Sequence, residues 1–127
     1  MVRRLIVMRH AKSSWKDPNL DDHERPLNKR GRRDAPMVAD AIFERGWIPE
    51  LILVSSSKRT LQTLEGMSHR MGKTPFEVRS GIYHATVIDL MEELEDMLDN
   101  GTTMIIGHNP GSEILVTVSY THLTLPT

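Results

Sequence analysis

Three short apolar runs dominate the pattern of this chain, and none of them alternates with polar residues. They cover residues 5 to 8, 51 to 54 and 104 to 106. A continuous apolar run bounded by turn or cap residues is typical of a strand that is covered on both faces, as in a parallel sheet. Residues 76 to 78 form a fourth, weaker candidate strand. These runs predict the inner layer of an α/β domain.

Amphipathic helical patterns separate the candidate strands. The first covers residues 35 to 45, with Asp34 as its expected N-cap and Gly46 as its expected end. The second begins at a serine cap, at position 56 or 57, and ends at Gly72, and the third covers residues 87 to 98. Strands that alternate with helices predict an α/β three-layer sandwich, in which helices flank a mainly parallel sheet.

Side chains that bind anions follow each of the three clear runs directly. Ligands of open α/β sheets lie outside the carboxyl ends of the strands, so we expect the three loops to converge on one crevice. Arginine pairs with phosphate in a planar, bidentate geometry, and the set includes no carboxylate, so the crevice predicts a phosphoryl-binding site. The expected substrate-binding residues are Arg9, Lys12, Ser56, Arg59, His108 and Asn109, beside His10.

Charge and composition exclude several other classes of function. The 127 residues carry a formal net charge of −1, so no overall basic field indicates binding to nucleic acid or to an anionic membrane. Cysteine is absent, which excludes disulfides, thiolate metal sites and a cysteine nucleophile. No apolar run approaches the roughly 20 residues of a membrane-spanning helix, and a cytoplasmic protein is expected.

A metal site could in principle combine His10 and His108 with His23 or His84. Two arginines beside these histidines would repel a divalent cation, and zinc sites favour cysteine, histidine or carboxylate neighbours. We therefore expect no metal and no cofactor.

Four ordered motifs, "RHAKSSW", "RPLNKRG", "SSSKRTLQT" and "IIGHNPG", resemble the histidine phosphatase superfamily. They are most similar to its small SixA-type branch, whose members remove phosphate from phosphohistidine. The resemblance covers residues 2 to about 116 and implies a phosphoglycerate mutase-like fold. Ala11 replaces the glycine of the family's "RHG" signature.

The resemblance implies a catalytic role for four residues. His10 matches the nucleophile of the family and Arg9 its phosphate-binding neighbour. Arg59 matches the second arginine and His108 the second histidine, while Asn109 lies in the "GHNP" turn that orients the loop. No motif matches the carboxylate proton donor of larger members. The acidic residues of the third helix are expected on its solvated face; they are Asp89, Glu92 and Glu93.

These roles predict a metal-independent phosphatase with a phosphohistidine intermediate. Neutral His10 would attack phosphorus in line with the leaving group, and the neighbouring arginines should lower the pKa of His10. The expected substrate is phosphohistidine in a protein, such as a histidine phosphotransfer domain or a phosphocarrier. Two alternatives stay open: a phosphatase of a small phosphorylated metabolite, and a non-catalytic phosphate-binding module, against which the intact His10 argues.

Residues 12 to 30 lack an apolar period and are rich in turn signals. Loops of this length inside a compact domain are usually functional or disordered, so we expect this one to form a wall of the site. Trp15, with Lys12 and Lys16 beside it, is expected to contact a partner at the rim. The alternative is that Trp15 packs beneath the loop and anchors it.

The last ten residues, "VSYTHLTLPT", are poor helix formers where a helix would be expected to continue. They resemble one reading frame of a transposon-end adapter used in sequencing libraries. We therefore expect a single domain over residues 1 to 117, truncated at its C-terminus, and a non-native tail over residues 118 to 127. An unpaired sheet edge would then favour aggregation. The alternative is that these residues form a natural short C-terminal strand.

Overall fold

A computed structural model describes residues 3–83, 85, 87–93, 101–108 and 122–125. Its strands are β1 (Arg3–Arg9), β2 (Leu51–Ser55), β3 (Phe76–Arg79), β4 (Gly101–Gly107) and β5 (His122–Leu125). Its helices are α1 (Lys29–Glu44), α2 (Lys58–Gly66), α3 (Ser68–Met71) and α4 (Val87–Glu93), with short 3-10 turns at Asp22–Glu24 and Ser80–Ile82. None of the described helices combines the length and apolarity needed to cross a membrane.

The five strands form one sheet in the order β3-β2-β4-β1-β5, and every pairing is parallel. All four apolar runs lie in strands, which confirms the predicted sheet. In the central pair, Arg9 is in register with Gly107, and the backbone N–H of His10 donates to the Gly107 carbonyl at 3.1 Å. The segments that leave β1 and β4 therefore start side by side at one edge of the sheet.

Apolar side chains cover both faces of the sheet, which confirms the three-layer sandwich. On one face, strand residues such as Ile6 and Met104 pack against α1, α2 and α3 through a buried cluster that includes Ile42 and Met67. On the other face, the buried strand residues contact Leu90 of α4 and the turn that precedes it. Because successive strand residues point to opposite faces, each apolar run serves both layers.

The first helix begins six residues earlier than the sequence predicted. Asn28, not Asp34, is its N-cap, because the Asn28 side chain accepts a hydrogen bond from the Gly31 N–H at 2.8 Å. Pro36, which is typical of a first turn, instead lies inside the helix, where it removes one N–H donor. Gly46 follows the helix with a φ of 73°, as expected of a glycine at a helix end.

The second and third predicted helices also differ in extent. Met67 separates α2 from α3, so the pattern that ends at Gly72 comprises two helices. Ser57 caps α2 by accepting from the Thr60 N–H, which decides between the two candidate serines. Residues 94 to 98 of the third pattern lie outside the described residues.

The segment after β1 is fixed to helices α1 and α2. The Lys12 carbonyl accepts the Asn28 N–H at 2.9 Å, and the Ala11 N–H donates to the Thr63 hydroxyl at 3.0 Å. Any side chain at Gly31 would overlap with the same Lys12 carbonyl, so only glycine permits this approach. These contacts hold the residues beside His10 in place.

Part of the expected tail takes part in the sheet. Residues 122 to 125 pair with β1 in parallel, from Leu5 opposite His122 to Met8 opposite Leu125. The other residues between 118 and 127 lie outside the described part of the chain. The predicted domain boundary after residue 117 stays a prediction.

Candidate active site

A cavity of about 380 Å³ lies at the carboxyl ends of β1 and β4. Five of its lining residues are cationic and only one, Asp34, is acidic. The cationic residues are Arg9, Lys12, Arg25, Arg30 and Arg59, and His10, His108, Ala11, Ser13 and Trp15 complete the lining. This lining is suited to an anionic ligand.

The ring of His10 is held in one tautomer by its neighbours. His10 is only 9% exposed, and its Nδ1 lies 2.7 Å from the Ala11 carbonyl oxygen. A carbonyl oxygen can only accept, so Nδ1 carries the proton and Nε2 keeps its lone pair. The Arg59 Nε–H donates to that Nε2 at 3.3 Å, in agreement with this assignment.

The same surroundings keep the His10 ring neutral. The pKa of His10 is lowered from 6.5 to about 4, and burial is the largest cause, although the hydrogen bond to Ala11 opposes it. The positive charges of Arg59, Arg9 and Arg25 are smaller contributions to the same lowering. The ring is therefore an unprotonated base near neutral pH, as the sequence predicted from the arginines.

We expect the His10 ring to gain a proton near pH 4, well below the ordinary value of 6.5. An NMR titration of the histidine ring carbons measures this pKa directly, and the His10→Ala variant identifies the signal. A signal that titrates at or above pH 6.5 would show that burial and the arginines do not act on this ring as described.

Arg59 lies between the two histidines and is only 6% exposed. Its Nη1 donates to the Asp22 backbone carbonyl at 2.6 Å, and its Nη2 donates to Asp22 Oδ2 at 3.0 Å. The same Nη2 lies 3.4 Å from Nδ1 of His108. Arg59 thus joins α2 to the segments that follow β1 and β4.

The ring of His108 is also oriented by hydrogen bonds. Its centroid lies 5.4 Å from that of His10, and its Nε2 lies 2.7 Å from the hydroxyl oxygen of Ser55. Because arginine can only donate, Nδ1 of His108 accepts from Arg59, and Nε2 of the neutral ring donates to Ser55. Ser55, the last residue of β2, therefore orients the ring of His108, which directly follows β4.

The structure adds a carboxylate, Asp22, to the residues singled out from the sequence. Asp22 accepts from the Tyr83 hydroxyl at 2.7 Å through Oδ2, and from Arg25 Nη1 at 2.8 Å through Oδ1. Burial raises the pKa of Asp22, but the hydrogen bonds from Tyr83, Arg25 and Arg59 outweigh it and hold that pKa well below its usual range. Asp22 is therefore an ionised acceptor for two arginines.

The other predicted site residues are placed differently. Arg9 and Lys12 are exposed and line the cavity. The Ser56 hydroxyl lies 2.9 Å from Nε2 of His23, and Ser56 does not line the cavity. Asn109 lies outside the described residues. The carboxylates expected on the solvated face of α4 are exposed where the structure describes them, at Asp89 and Glu92.

Acidic and histidine side chains do not form a metal-binding site in the described part of the chain. No group of three or more of them is arranged to hold a metal ion there. His84, one of the histidines considered for such a site, lies outside the described residues.

Comparisons with known proteins agree with this geometry. The model of branch 1 of the histidine phosphatase superfamily matches residues 5–85. A chloroplastic protein of Arabidopsis thaliana is 38% identical over 122 residues, which cover 87% of this chain and 56% of the relative. The chain therefore spans little more than half the length of that relative.

Two solved structures share the fold. A candidate phosphohistidine phosphatase SixA from Agrobacterium tumefaciens has a TM-score of 0.82 and 28% identity, covering 90% of this chain and 74% of its own. The corresponding SixA from Nakamurella multipartitia has a TM-score of 0.76 and 28% identity, with coverages of 89% and 63%. The family match and the shared architecture lead to one conclusion: this chain belongs to the histidine phosphatase superfamily.

Proposed function

We propose that this chain is a metal-independent phosphatase that removes phosphate from phosphohistidine in a protein. The observation that carries the proposal is the unprotonated Nε2 of His10, which lies in a cationic cavity with Arg59 beside it. A neutral imidazole nitrogen is a nucleophile, and arginines supply the positive charge that a phosphoryl group needs.

The reaction proceeds in two displacements at phosphorus. Nε2 of His10 attacks in line, a nitrogen–phosphorus bond forms, and the bond to the leaving group breaks. Arg9 and Arg59 hold the phosphoryl oxygens on which charge must be stabilised, and His108 joins them by taking a proton on Nδ1, which then donates to a phosphoryl oxygen while Nε2 keeps Ser55. Water then attacks the phosphohistidine, releases inorganic phosphate and restores His10. Lys12 adds positive charge at the rim, and Ser56 is not part of the proposed site because its hydroxyl contacts His23.

The carboxylate of the cluster supports a phosphohistidine substrate. Asp22 is ionised and paired with two arginines, so it is not a proton donor for the leaving group. Imidazole is a better leaving group than an alkoxide, so a phosphoramidate bond depends less on such a donor than an alkyl phosphate ester does. The two similar SixA structures, both described as candidate phosphohistidine phosphatases, favour the same substrate class.

A phosphatase panel tests this function. Wild type and His10→Ala are compared on a phosphohistidine protein, phosphoramidate, phosphoserine and sugar phosphates, with and without EDTA. We expect wild type to hydrolyse the phosphohistidine protein and phosphoramidate in the presence of EDTA, and we expect His10→Ala to hydrolyse neither. Preference for a sugar phosphate would favour the alternative metabolite phosphatase. Phosphate binding without turnover of any substrate would favour a non-catalytic module.

The rim of the cavity supports a protein substrate. Trp15 is 75% exposed, and the Arg25 guanidinium stacks on its ring at 3.2 Å from the centroid. Trp15 is thus not packed beneath its loop, and its outer surface faces solvent. We propose that this ring and the lysines at positions 12 and 16 contact the phosphorylated partner, a histidine phosphotransfer domain or a phosphocarrier.

Replacing Trp15 by alanine is expected to lower kcat/KM on a phosphohistidine protein more than on phosphoramidate. The reason is that a protein can contact the large exposed surface of the ring outside the cavity, whereas phosphoramidate contacts only groups inside the cavity. Met37→Ala is a control, since Met37 is 61% exposed and does not line the cavity. Equal losses on both substrates would indicate that Trp15 anchors the loop, and no loss on either would exclude both roles.

A further inference from the structure

The guanidinium of Arg59 uses its two hydrogen-bonding edges for different partners. The end-on edge, Nη1 with Nη2, donates to the backbone carbonyl and to the carboxylate of Asp22. The side-on edge, Nε with Nη2, faces Nε2 of His10 at 3.3 Å and Nδ1 of His108 at 3.4 Å. Asp22 therefore accepts both hydrogen bonds from the edge of Arg59 that points away from the histidines.

We propose that Asp22 is a positioning residue that turns the side-on edge of Arg59 toward the phosphoryl group. This inference rests on the proposed function, which places that group between His10 and His108. Bidentate recognition of phosphate requires two parallel N–H groups, and the side-on edge provides them only while the plane of the guanidinium is fixed. Asp22 fixes the plane with two acceptors, one on its backbone and one on its side chain.

Asp22 is itself held from two other directions. Its carboxylate accepts from the Tyr83 hydroxyl and from Arg25. Arg25 is only 7% exposed, donates to the Ser14 carbonyl at 3.1 Å and also contacts the Ser13 hydroxyl. The Asp22 carboxylate thus accepts hydrogen bonds both from Arg25 in the loop after β1 and from Tyr83 at the end of the 3-10 turn. A carboxylate held by these two donors can define the orientation of a third partner, Arg59.

The negative charge of Asp22 also makes the burial of Arg59 tolerable. A buried cation without a partner is strongly unfavourable, whereas a paired and hydrogen-bonded one is not. Asp22→Asn keeps a side-chain oxygen that accepts from Arg59 but loses the charge, whereas Asp22→Ala loses both the charge and the side-chain acceptor and keeps only the backbone carbonyl. The two substitutions therefore separate the hydrogen bond from the charge.

The test measures the orientation of Arg59 and the binding of inorganic phosphate, neither of which requires turnover. We expect the Arg59 Nε–H to give a sharp, slowly exchanging NMR signal that Asp22→Ala removes. Asp22→Ala should weaken phosphate binding by about tenfold or more, and in an Arg59→Ala background it should have almost no further effect, because the two residues act as one unit. Asp22→Asn should restore part of the affinity.

Asp21→Ala is the matched control, since Asp21 is the adjacent aspartate, is exposed and makes no side-chain cap hydrogen bond. It should leave the Arg59 signal and the phosphate affinity unchanged. The proposal is overturned if Asp22→Ala leaves the Arg59 signal intact, or if its effect on phosphate binding persists without Arg59. Wild type that shows the Arg59 signal and binds phosphate but turns over no substrate would contradict the proposed function and leave the positioning role supported.

Discussion

His10→Ala is expected to abolish turnover of every substrate. The variant removes the protein atom that is proposed to bond to phosphorus, and the arginines that remain can bind phosphate but cannot replace a nucleophile. Steady-state release of inorganic phosphate measures the effect. His69→Ala is the control, because His69 is an exposed histidine paired with Asp40 on the surface of the domain.

Two outcomes would distinguish this role from a structural one. His10→Ala should still bind inorganic phosphate and unfold cooperatively, as the other cationic groups of the cavity are unchanged. Turnover by His10→Ala at the rate of the His69→Ala control would show that His10 is not the nucleophile.

Arg59→Ala is expected to lower kcat by at least ~10²-fold, the order of one lost donor to a developing negative charge. Arg59→Lys should recover little of this loss, because an ammonium group lacks the planar pair of N–H groups that faces the two histidines. Arg9→Ala is expected to have a loss of the same order. Lys58→Ala, at the exposed neighbouring position, is the control.

The rate of Arg59→Lys distinguishes a role of Arg59 in supplying charge from a role in orienting two N–H groups. A lysine that restores most of the rate would mean that Arg59 supplies only charge, and the orientation of its edges would then be irrelevant. A full loss of rate together with a large fall in thermal stability would instead assign Arg59 to the packing of α2 on the 3-10 turn at Asp22–Glu24.

The sheet and the three converging loops were predictable because they depend on local sequence. A continuous apolar run indicates a strand covered on both faces, and parallel strands bring their carboxyl ends to one edge. The start of α1 was not predictable in the same way. Asn28 and Asp34 are both good caps, and the choice depends on how the helix contacts the backbone of Lys12.

Asp22 could not be assigned from sequence because its partners are distant along the chain. Arg59 lies 37 positions away and Tyr83 lies 61 positions away. The sequence also does not show which role each of the three consecutive serines at the end of β2 has. Ser55 supports His108, Ser56 contacts His23 and Ser57 caps α2, and these roles differ only through the direction of each side chain.

In the proposed mechanism His10 becomes phosphorylated during turnover, and chemical trapping detects this intermediate. Wild type is mixed with substrate labelled on phosphorus, quenched in alkali, and analysed by peptide mass spectrometry, with His10→Ala as the control. We expect one phosphoryl group on His10 that is stable in base and lost in acid. Label on a serine, or label that remains in the His10→Ala variant, would contradict it.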